Sequence, residues 1–79
     1  LYFGIINSDQ VRCLQQFLAS QEGIYPEALV TGNFLSLTRN AVERFQEKYT
    51  DDILAAFGLF KGTGFVGWKT RAKIQELLR

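Results

Sequence analysis

A pattern of loop and helix residues occurs twice in this chain, and each position of the second copy stands 32 residues after its equivalent in the first. Four pairs of positions are identical, namely Thr31 and Thr63, Gly32 and Gly64, Thr38 and Thr70, and Arg39 and Arg71. Three more pairs exchange one apolar side chain for another, namely Phe34 and Val66, Val42 and Ile74, and Phe45 and Leu77. The apolar spacing in each copy is that of one face of a helix. The chain is therefore predicted to be built from a repeated loop-helix unit whose helices share one core.

The length of 79 residues allows one domain, and a domain of this size buries only about 60% of the surface of its unfolded chain. The apolar fraction of 47% and the eleven aromatic residues are enough for a core without a metal or a disulfide. We therefore expect residues 1–79 to form a single globular domain. We also expect it to be a fragment of a larger protein.

Apolar periodicity predicts three main helices and a short helical insert. The predicted ranges are 8–22, 37–49, 53–57 and 68–78. Asn7 with Gln10 has the form of a capping box for the first helix. Ser36 is predicted to cap the second helix and Thr50 the insert, which Gly58 ends. The predicted fold is all-α, a compact three-helix bundle with one short extra helix between helices two and three.

The same periodicity predicts which side chains enter the core. The helical candidates are Val11, Leu14, Phe17, Leu18, Leu37, Ala41, Val42, Phe45, Tyr49, Ile74, Leu77 and Leu78. Leu29 and Val30 are expected to fill the core from the first loop, and Phe60, Phe65 and Val66 to anchor the second. Cys13 cannot form an internal disulfide because it is the single cysteine, and it is expected to be partly buried.

No group of side chains has the pattern of a catalytic site. Glycoside hydrolysis needs two facing carboxylates, but Asp51 and Asp52 are adjacent at a predicted helix start, and Glu43 and Glu47 lie one turn apart on an outward face. The absence of histidine excludes a Cys-His nucleophile and the usual zinc sites. We therefore expect no catalytic residue, no metal site and no cofactor.

The charge distribution keeps one alternative open. The net charge is only +1, but the chain from residue 61 onward carries five basic residues and one acid. Three short helices with a basic last helix match the outline of a helix-turn-helix nucleic-acid binder. The connection of about 18 residues between helices two and three is much longer than the turn of that motif, so nucleic acid is not the expected partner.

Two longer motifs run through the first two predicted helices and the loop between them. The first is Val11-x-x-Leu14-Gln15-x-x-Leu18, and the second is Gly32-x-Phe34-x-x-x-Thr38-x-x-Ala41-Val42-x-x-Phe45-Gln46. In this order they resemble the motifs of the peptidoglycan-binding-domain family. The glycine-rich loop at 62–67 and the last helix look like the third element of that family. The sequence departs from the family pattern at Leu35, Ser36 and Leu37, and at Trp68, where the family usually has proline.

The resemblance implies a noncatalytic module that attaches a larger protein, often a wall hydrolase, to the bacterial cell wall. The implied location is the bacterial cell envelope or the extracellular space. The implied partner is the glycan strand or the stem peptide of peptidoglycan, with no membrane contact.

A polymer of sugars and peptides would be held by aromatic faces, amide side chains and cations that meet stem-peptide carboxylates. Trp68 is the candidate for stacking on a sugar ring, or else it lies at the edge of the core. Tyr25 and Asn33 are expected in loops with free polar ends. Arg39 and Arg71 are the candidates for binding carboxylates.

Two further alternatives stay open at this point. The domain could dock on another protein, for example as an inhibitory prodomain of an attached enzyme. It could also be a degenerate module that binds nothing, because Leu35 and Leu37 stand where a ligand would be expected.

Overall fold

The computed structural model describes residues 1–78, and among them it contains helices but no strand. The helices are α1 (Asp9–Ser20), α2 (Ser36–Lys48), α3 (Thr50–Ile53) and α4 (Trp68–Leu78), with a 3₁₀ turn at Ala55–Phe57. The predicted all-α fold, with three main helices and a short one between the last two, is confirmed. Within residues 1–78 no helix is long and apolar enough to span a bilayer.

The start of α1 is capped by Ser8 and not by the predicted Asn7. Ser8 Oγ accepts a hydrogen bond from Val11 N at 3.3 Å. Asn7 has a left-handed backbone, with φ of 52°, and its Oδ1 accepts from Arg12 Nη2 at 2.7 Å. Its own N–H donates to Asn33 Oδ1 at 2.9 Å. Because the first loop holds Asn7 in this way, the neighbouring serine takes the capping position.

The other two predicted caps are also wrong. The helix α2 begins at Ser36 itself, and the preceding Leu35 provides no side-chain cap. Thr50 is the first residue of α3, and its hydroxyl donates backward to Glu47 O at 2.6 Å. The predicted stop at Gly58 is correct, since this residue follows the 3₁₀ turn with a left-handed φ of 70°.

The core contains most of the side chains that the helical periodicity indicates. Phe17 and Phe45 meet edge to face, with their ring centres 5.5 Å apart. Phe34 and Val66, which are equivalent in the repeat, are both buried. The buried apolar residues are Val11, Leu14, Phe17, Leu18, Ile24, Tyr25, Phe34, Ala41, Val42, Phe45, Ile53, Leu54 and Val66. The repeat therefore does supply a shared core.

Several residues predicted to be buried are exposed instead. They are Cys13, Leu29, Val30, Leu37, Phe60, Phe65, Leu77 and Leu78. Most lie in loops or near the end of α4, where Ile74 is only partly buried against the core. A loop has no periodicity that separates its inner from its outer side chains, and this limits the prediction there.

The N-terminal segment joins the two repeat loops through backbone hydrogen bonds. Gly4 N donates to Phe34 O at 2.8 Å, and Phe34 N donates to Ile5 O at 2.7 Å. On the other side, Val66 N donates to Leu1 O at 2.8 Å. The segment before α1 therefore lies between the loop that precedes α2 and the loop that precedes α4.

Candidate functional site

The loop before α4 is held by the buried side chain of Gln46. Its Oε1 accepts hydrogen bonds from Thr63 N at 2.8 Å and Gly64 N at 3.1 Å. Its Nε2 donates to Phe65 O at 2.8 Å, to Thr70 Oγ1 at 3.1 Å and to Thr63 Oγ1 at 3.3 Å. We call this set of bonds an amide clasp, because one side-chain amide ties the loop to α2 and to the first turn of α4.

Gln15 forms an equivalent amide clasp in the first repeat. Its Oε1 accepts from Thr31 N at 2.8 Å and Gly32 N at 3.0 Å. Its Nε2 donates to Thr38 Oγ1 at 2.9 Å, to Asn33 O at 3.2 Å and to Thr31 Oγ1 at 3.3 Å. Both glutamines thus meet the requirement that a buried polar group be hydrogen-bonded. The sequence repeat is therefore also a repeat of hydrogen bonds.

Glycines make these two loops possible. Gly32 and Gly64 have φ of 82° and 77°, which favours glycine over other residues. At Gly62 the constraint is space, since a Cβ there would lie 2.6 Å from the Cα and carbonyl oxygen of Glu43. Gly62 N also donates to Glu47 Oε2 at 2.9 Å. The second loop is therefore packed directly against the backbone of α2.

A pocket of about 420 Å³ lies beside the Gln46 clasp, and we call it the C-terminal pocket. One side is formed by the segment that follows α3, another by the second loop, and a third by the start of α4. Prominent among its lining side chains are Leu54, Phe57, Leu59, Phe65, Trp68 and Lys69.

The lining of the C-terminal pocket is aromatic and carries one cation. Trp68 is 63% exposed, Phe57 55% and Phe65 54%, so three aromatic side chains remain accessible. Lys69 Nζ lies 4.6 Å from the centre of the Trp68 ring. No carboxylate lines the pocket within the described part of the chain. Such a surface suits a ligand that carries both a ring with apolar faces and a negatively charged group.

A second pocket, of about 300 Å³, lies beside the Gln15 clasp, and we call it the N-terminal pocket. Among its lining residues are Tyr25, Leu29, Asn33, Leu35, Ser36 and Leu37. It is formed by the first loop and the start of α2, as the C-terminal pocket is formed by the second loop and the start of α4.

The structure places three of the predicted ligand residues at these pockets. Trp68 is exposed at the C-terminal pocket, and Asn33 is half-buried at the N-terminal pocket. Tyr25 also lines the N-terminal pocket, but the expectation that its polar end is free is wrong. Its side chain is only 2% exposed, and its hydroxyl donates to Leu29 O at 2.7 Å. The turn after Tyr25 brings this acceptor within reach of the ring, so the hydroxyl is satisfied internally.

The two predicted arginines lie outside both pockets. The guanidinium of Arg39 lies 5.1 Å from the centre of the Phe3 ring. Arg71 is exposed and lines a separate depression together with Leu1 and Cys13. The five predicted residues are therefore not brought together in one place.

Of the residues that line the C-terminal pocket, the predicted site includes only Trp68, and it omits the prominent side chains of Phe57, Leu59 and Lys69. The expectation for Phe65 was also different, since it was predicted to anchor the loop in the core. The sequence did contain a signal for Lys69, because this residue directly follows the predicted Trp68. The two occupy the same repeat positions at the start of α4 as Ser36 and Leu37 do at the start of α2. Phe57 has a signal of the same kind, since it stands 32 positions after Tyr25, whereas Leu59 corresponds to Glu27 and has none.

Most of the basic character of α4 is directed away from the C-terminal pocket. Lys73 Nζ bonds to Asp52 Oδ2 at 2.9 Å and to Glu76 Oε2 at 3.1 Å, and it lies 4.8 Å from the centre of the Tyr49 ring. The hydrogen bonds that Lys73 donates to Asp52 and Glu76 raise its pKa. Within residues 1–78 no cluster of His, Cys, Asp and Glu could hold a metal ion.

The sequence model of one protein family matches residues 7–50, and that family is described as a peptidoglycan binding domain. The match includes α1, the first loop and α2, and it covers 44 of the 79 residues. No curated protein and no solved structure matches the chain significantly.

Proposed function

The chain belongs to the peptidoglycan binding domain family, and from this we propose that it is a noncatalytic module that holds an attached domain on the bacterial cell wall. The C-terminal pocket is the proposed binding site. Its partner is the glycan strand or the stem peptide of peptidoglycan, and the attached domain is a cell-wall hydrolase or another envelope protein. This function places the protein in the cell envelope or outside the cell.

The observation that carries this proposal is the exposed aromatic lining beside one cation. Trp68 and Phe65 offer flat apolar faces to the C–H groups of a sugar ring, and a contiguous exposed apolar patch is a common mark of a ligand-binding surface. The ammonium group of Lys69 lies at the same pocket, where it can pair with a stem-peptide carboxylate. Sugar and carboxylate occur together in peptidoglycan.

The same pocket supports binding and not hydrolysis. Cleavage of a glycosidic bond requires a pair of carboxyl groups about 5 to 9.5 Å apart across the substrate. The part of the chain that the structure describes places no aspartate or glutamate in the lining of the C-terminal pocket. Chemistry on the wall polymer is therefore assigned to the attached domain.

A second candidate function is docking on another protein, and exposed apolar side chains favour it. Phe60, which directly follows Leu59 of the pocket lining, is 85% exposed, and the lining residues Phe57 and Phe65 are exposed as well. A hydrophobic patch on a small domain is a common mark of a protein interface. A prodomain that inhibits an attached enzyme would use such a surface.

The test is cosedimentation of the domain with purified, protein-free peptidoglycan sacculi at low and high salt. Trp68→Ala removes the most exposed of the three aromatic side chains that line the pocket. Phe60→Ala is the matched control, because it also removes an exposed aromatic side chain but one outside the lining. We expect the wild type and Phe60→Ala to sediment at both salt concentrations, because contacts between rings are little screened by salt. Trp68→Ala should remain in the supernatant.

Three results would go against this assignment. If the wild type does not sediment at any salt concentration, wall binding is wrong and docking on a protein becomes the better candidate. If both variants lose sedimentation equally, the contact is a general hydrophobic patch and not the C-terminal pocket. Binding to DNA that weakens steeply with salt would support the nucleic-acid alternative.

A further inference from the structure

We infer that the N-terminal pocket is a second subsite for the same peptidoglycan strand, and that it takes a neutral, amide-bearing sugar unit near the unit held at Trp68. This inference rests on the proposed function, because it assigns a second part of the same ligand. It gives the repeat a role in binding, in addition to its role in building the core.

The first support is that the two pockets use equivalent positions of the repeat. Each pocket lies beside an amide clasp, and seven lining positions of one correspond to seven of the other at the spacing of 32 residues. The pairs are Tyr25 and Phe57, Thr31 and Thr63, Asn33 and Phe65, Leu35 and Gly67, Ser36 and Trp68, Leu37 and Lys69, and Thr38 and Thr70. The N-terminal pocket is therefore a second copy of the proposed binding site with different side chains.

The second support is the position of the pockets along α2. Thr38, at the N-terminal pocket, and Gln46, at the C-terminal pocket, are both on this helix and eight residues apart. Eight residues correspond to about 12 Å of rise and a rotation of about 80° around the axis, so both positions lie on the same half of the helix. A polymer bound at one pocket holds its next units close to the other, which raises their local concentration there.

The third support is the polar groups that remain free at the N-terminal pocket. Asn33 uses its Oδ1 to accept from Asn7 N, while its Nδ2 has no hydrogen-bond partner among residues 1–78. Ser36 is exposed, and its hydroxyl is also without a bond in that part of the chain. Hydroxyl and N-acetyl oxygens would accept from these two groups.

The surroundings of these polar groups fit a neutral ligand. The leucines at 29, 35 and 37 give the pocket an apolar lining, and no charged side chain within residues 1–78 contributes to it. The two pockets thus differ in chemistry, since the C-terminal pocket carries Lys69 and the N-terminal pocket carries amide and hydroxyl groups. The anionic part of the strand is therefore assigned to the C-terminal pocket, and a neutral unit to the N-terminal pocket.

The test compares two soluble ligands prepared from peptidoglycan, namely one disaccharide-peptide unit and a strand of several units. The variant is Asn33→Asp with Ser36→Ala, which removes both donors but keeps the oxygen that Asn7 N requires. Ser36→Ala alone is the milder variant, in case the double variant unfolds. Asn40→Asp is the matched control, because it makes the same charge change on α2 outside both pockets.

Calorimetric titration should show that the wild type binds the strand more tightly than the single unit. The double variant should bind the strand about thirtyfold more weakly, which corresponds to two hydrogen bonds of typical strength. Its affinity for the single unit should be unchanged, because that unit occupies the C-terminal pocket. Ser36→Ala alone should show a smaller loss in the same direction, and Asn40→Asp no loss.

The possible failures are distinguishable. Equal wild-type affinities for unit and strand would overturn the second subsite and leave the proposed function standing. The second subsite would also be wrong if the double variant lost affinity for both ligands to the same extent, or for neither. A wild type that binds neither ligand would overturn the proposed function together with this inference.

Discussion

Gln46 Nε2 donates a hydrogen bond to Thr70 Oγ1 at 3.1 Å, and this bond joins the last turn of α2 to the first turn of α4. Gln15 and Thr38 make the same contact between α1 and α2 at 2.9 Å. All four residues are buried. Each of these two junctions between main helices therefore includes one buried side-chain amide, and the pocket beside it is formed in part by the loop that the amide holds.

Replacement of one clasp glutamine should destabilise the domain strongly. In Gln15→Leu the backbone N–H groups of Thr31 and Gly32 lose their acceptor, and an unsatisfied buried group costs about 1 to 3 kcal/mol. We expect the free energy of unfolding to fall by about 3 kcal/mol in urea denaturation. Gln16→Leu is the control, because Gln16 is exposed on the same helix, and its effect should stay within about 0.5 kcal/mol. Equal stability of the two variants would contradict the clasp.

The centre of the core should be equally sensitive to truncation. Phe45 is fully buried and packs against the Phe17 and Tyr49 rings. Phe45→Ala should cost about 3 to 5 kcal/mol, because it removes apolar contacts and leaves a cavity. Thermal or urea unfolding measures this loss, and Phe60→Ala on the surface is the reference. A Phe45→Ala protein as stable as the wild type would count against the fold.

The pKa of Lys73 should depend on Asp52. The hydrogen bonds to Asp52 and Glu76 raise this pKa above its ordinary value of 10.5, so the protonated form is favoured in the folded protein. The resulting stabilisation is fully present below 10.5 and is lost as the pH rises through the folded pKa.

NMR titration of the Lys73 side chain at alkaline pH tests this dependence. The pKa should move down toward its ordinary value in Asp52→Asn. It should stay in place in Asp51→Asn, where the adjacent carboxylate that does not pair with Lys73 is removed. An unchanged pKa in Asp52→Asn would show that the ion pair does not persist in solution.

Much of the fold could be predicted from the sequence because its helices are periodic. Val11, Leu14, Val42 and Phe45 recur at the helical spacing and are buried, and the range predicted for α4 matches the structure. The helix N-caps were harder to predict, because adjacent residues such as Asn7 and Ser8 are both favourable at an N-cap position. In that case a hydrogen bond from a distant loop, between Asn7 N and Asn33 Oδ1, decides between them.

Less of the candidate site could be predicted. Trp68 and Asn33 lie at pockets as exposed or half-buried residues, but the hydroxyl of Tyr25 is used internally and Arg39 contacts Phe3. Residue type alone indicates what a side chain could bind. It does not indicate whether that side chain already contacts another group of the same protein in the folded state.

The sequence by itself determined the repeat, the helical class and the helical core, because these follow from spacings within short segments of the chain. The tertiary structure decided which loop side chains are exposed, as the contrast between buried Val66 and exposed Phe65 illustrates. It also decided that Gln15 and Gln46 become buried hydrogen-bonding centres, since their partners lie 16 to 24 positions away in sequence. The physical reason is that the burial of a loop residue depends on the path of the backbone, and contacts distant in sequence fix that path.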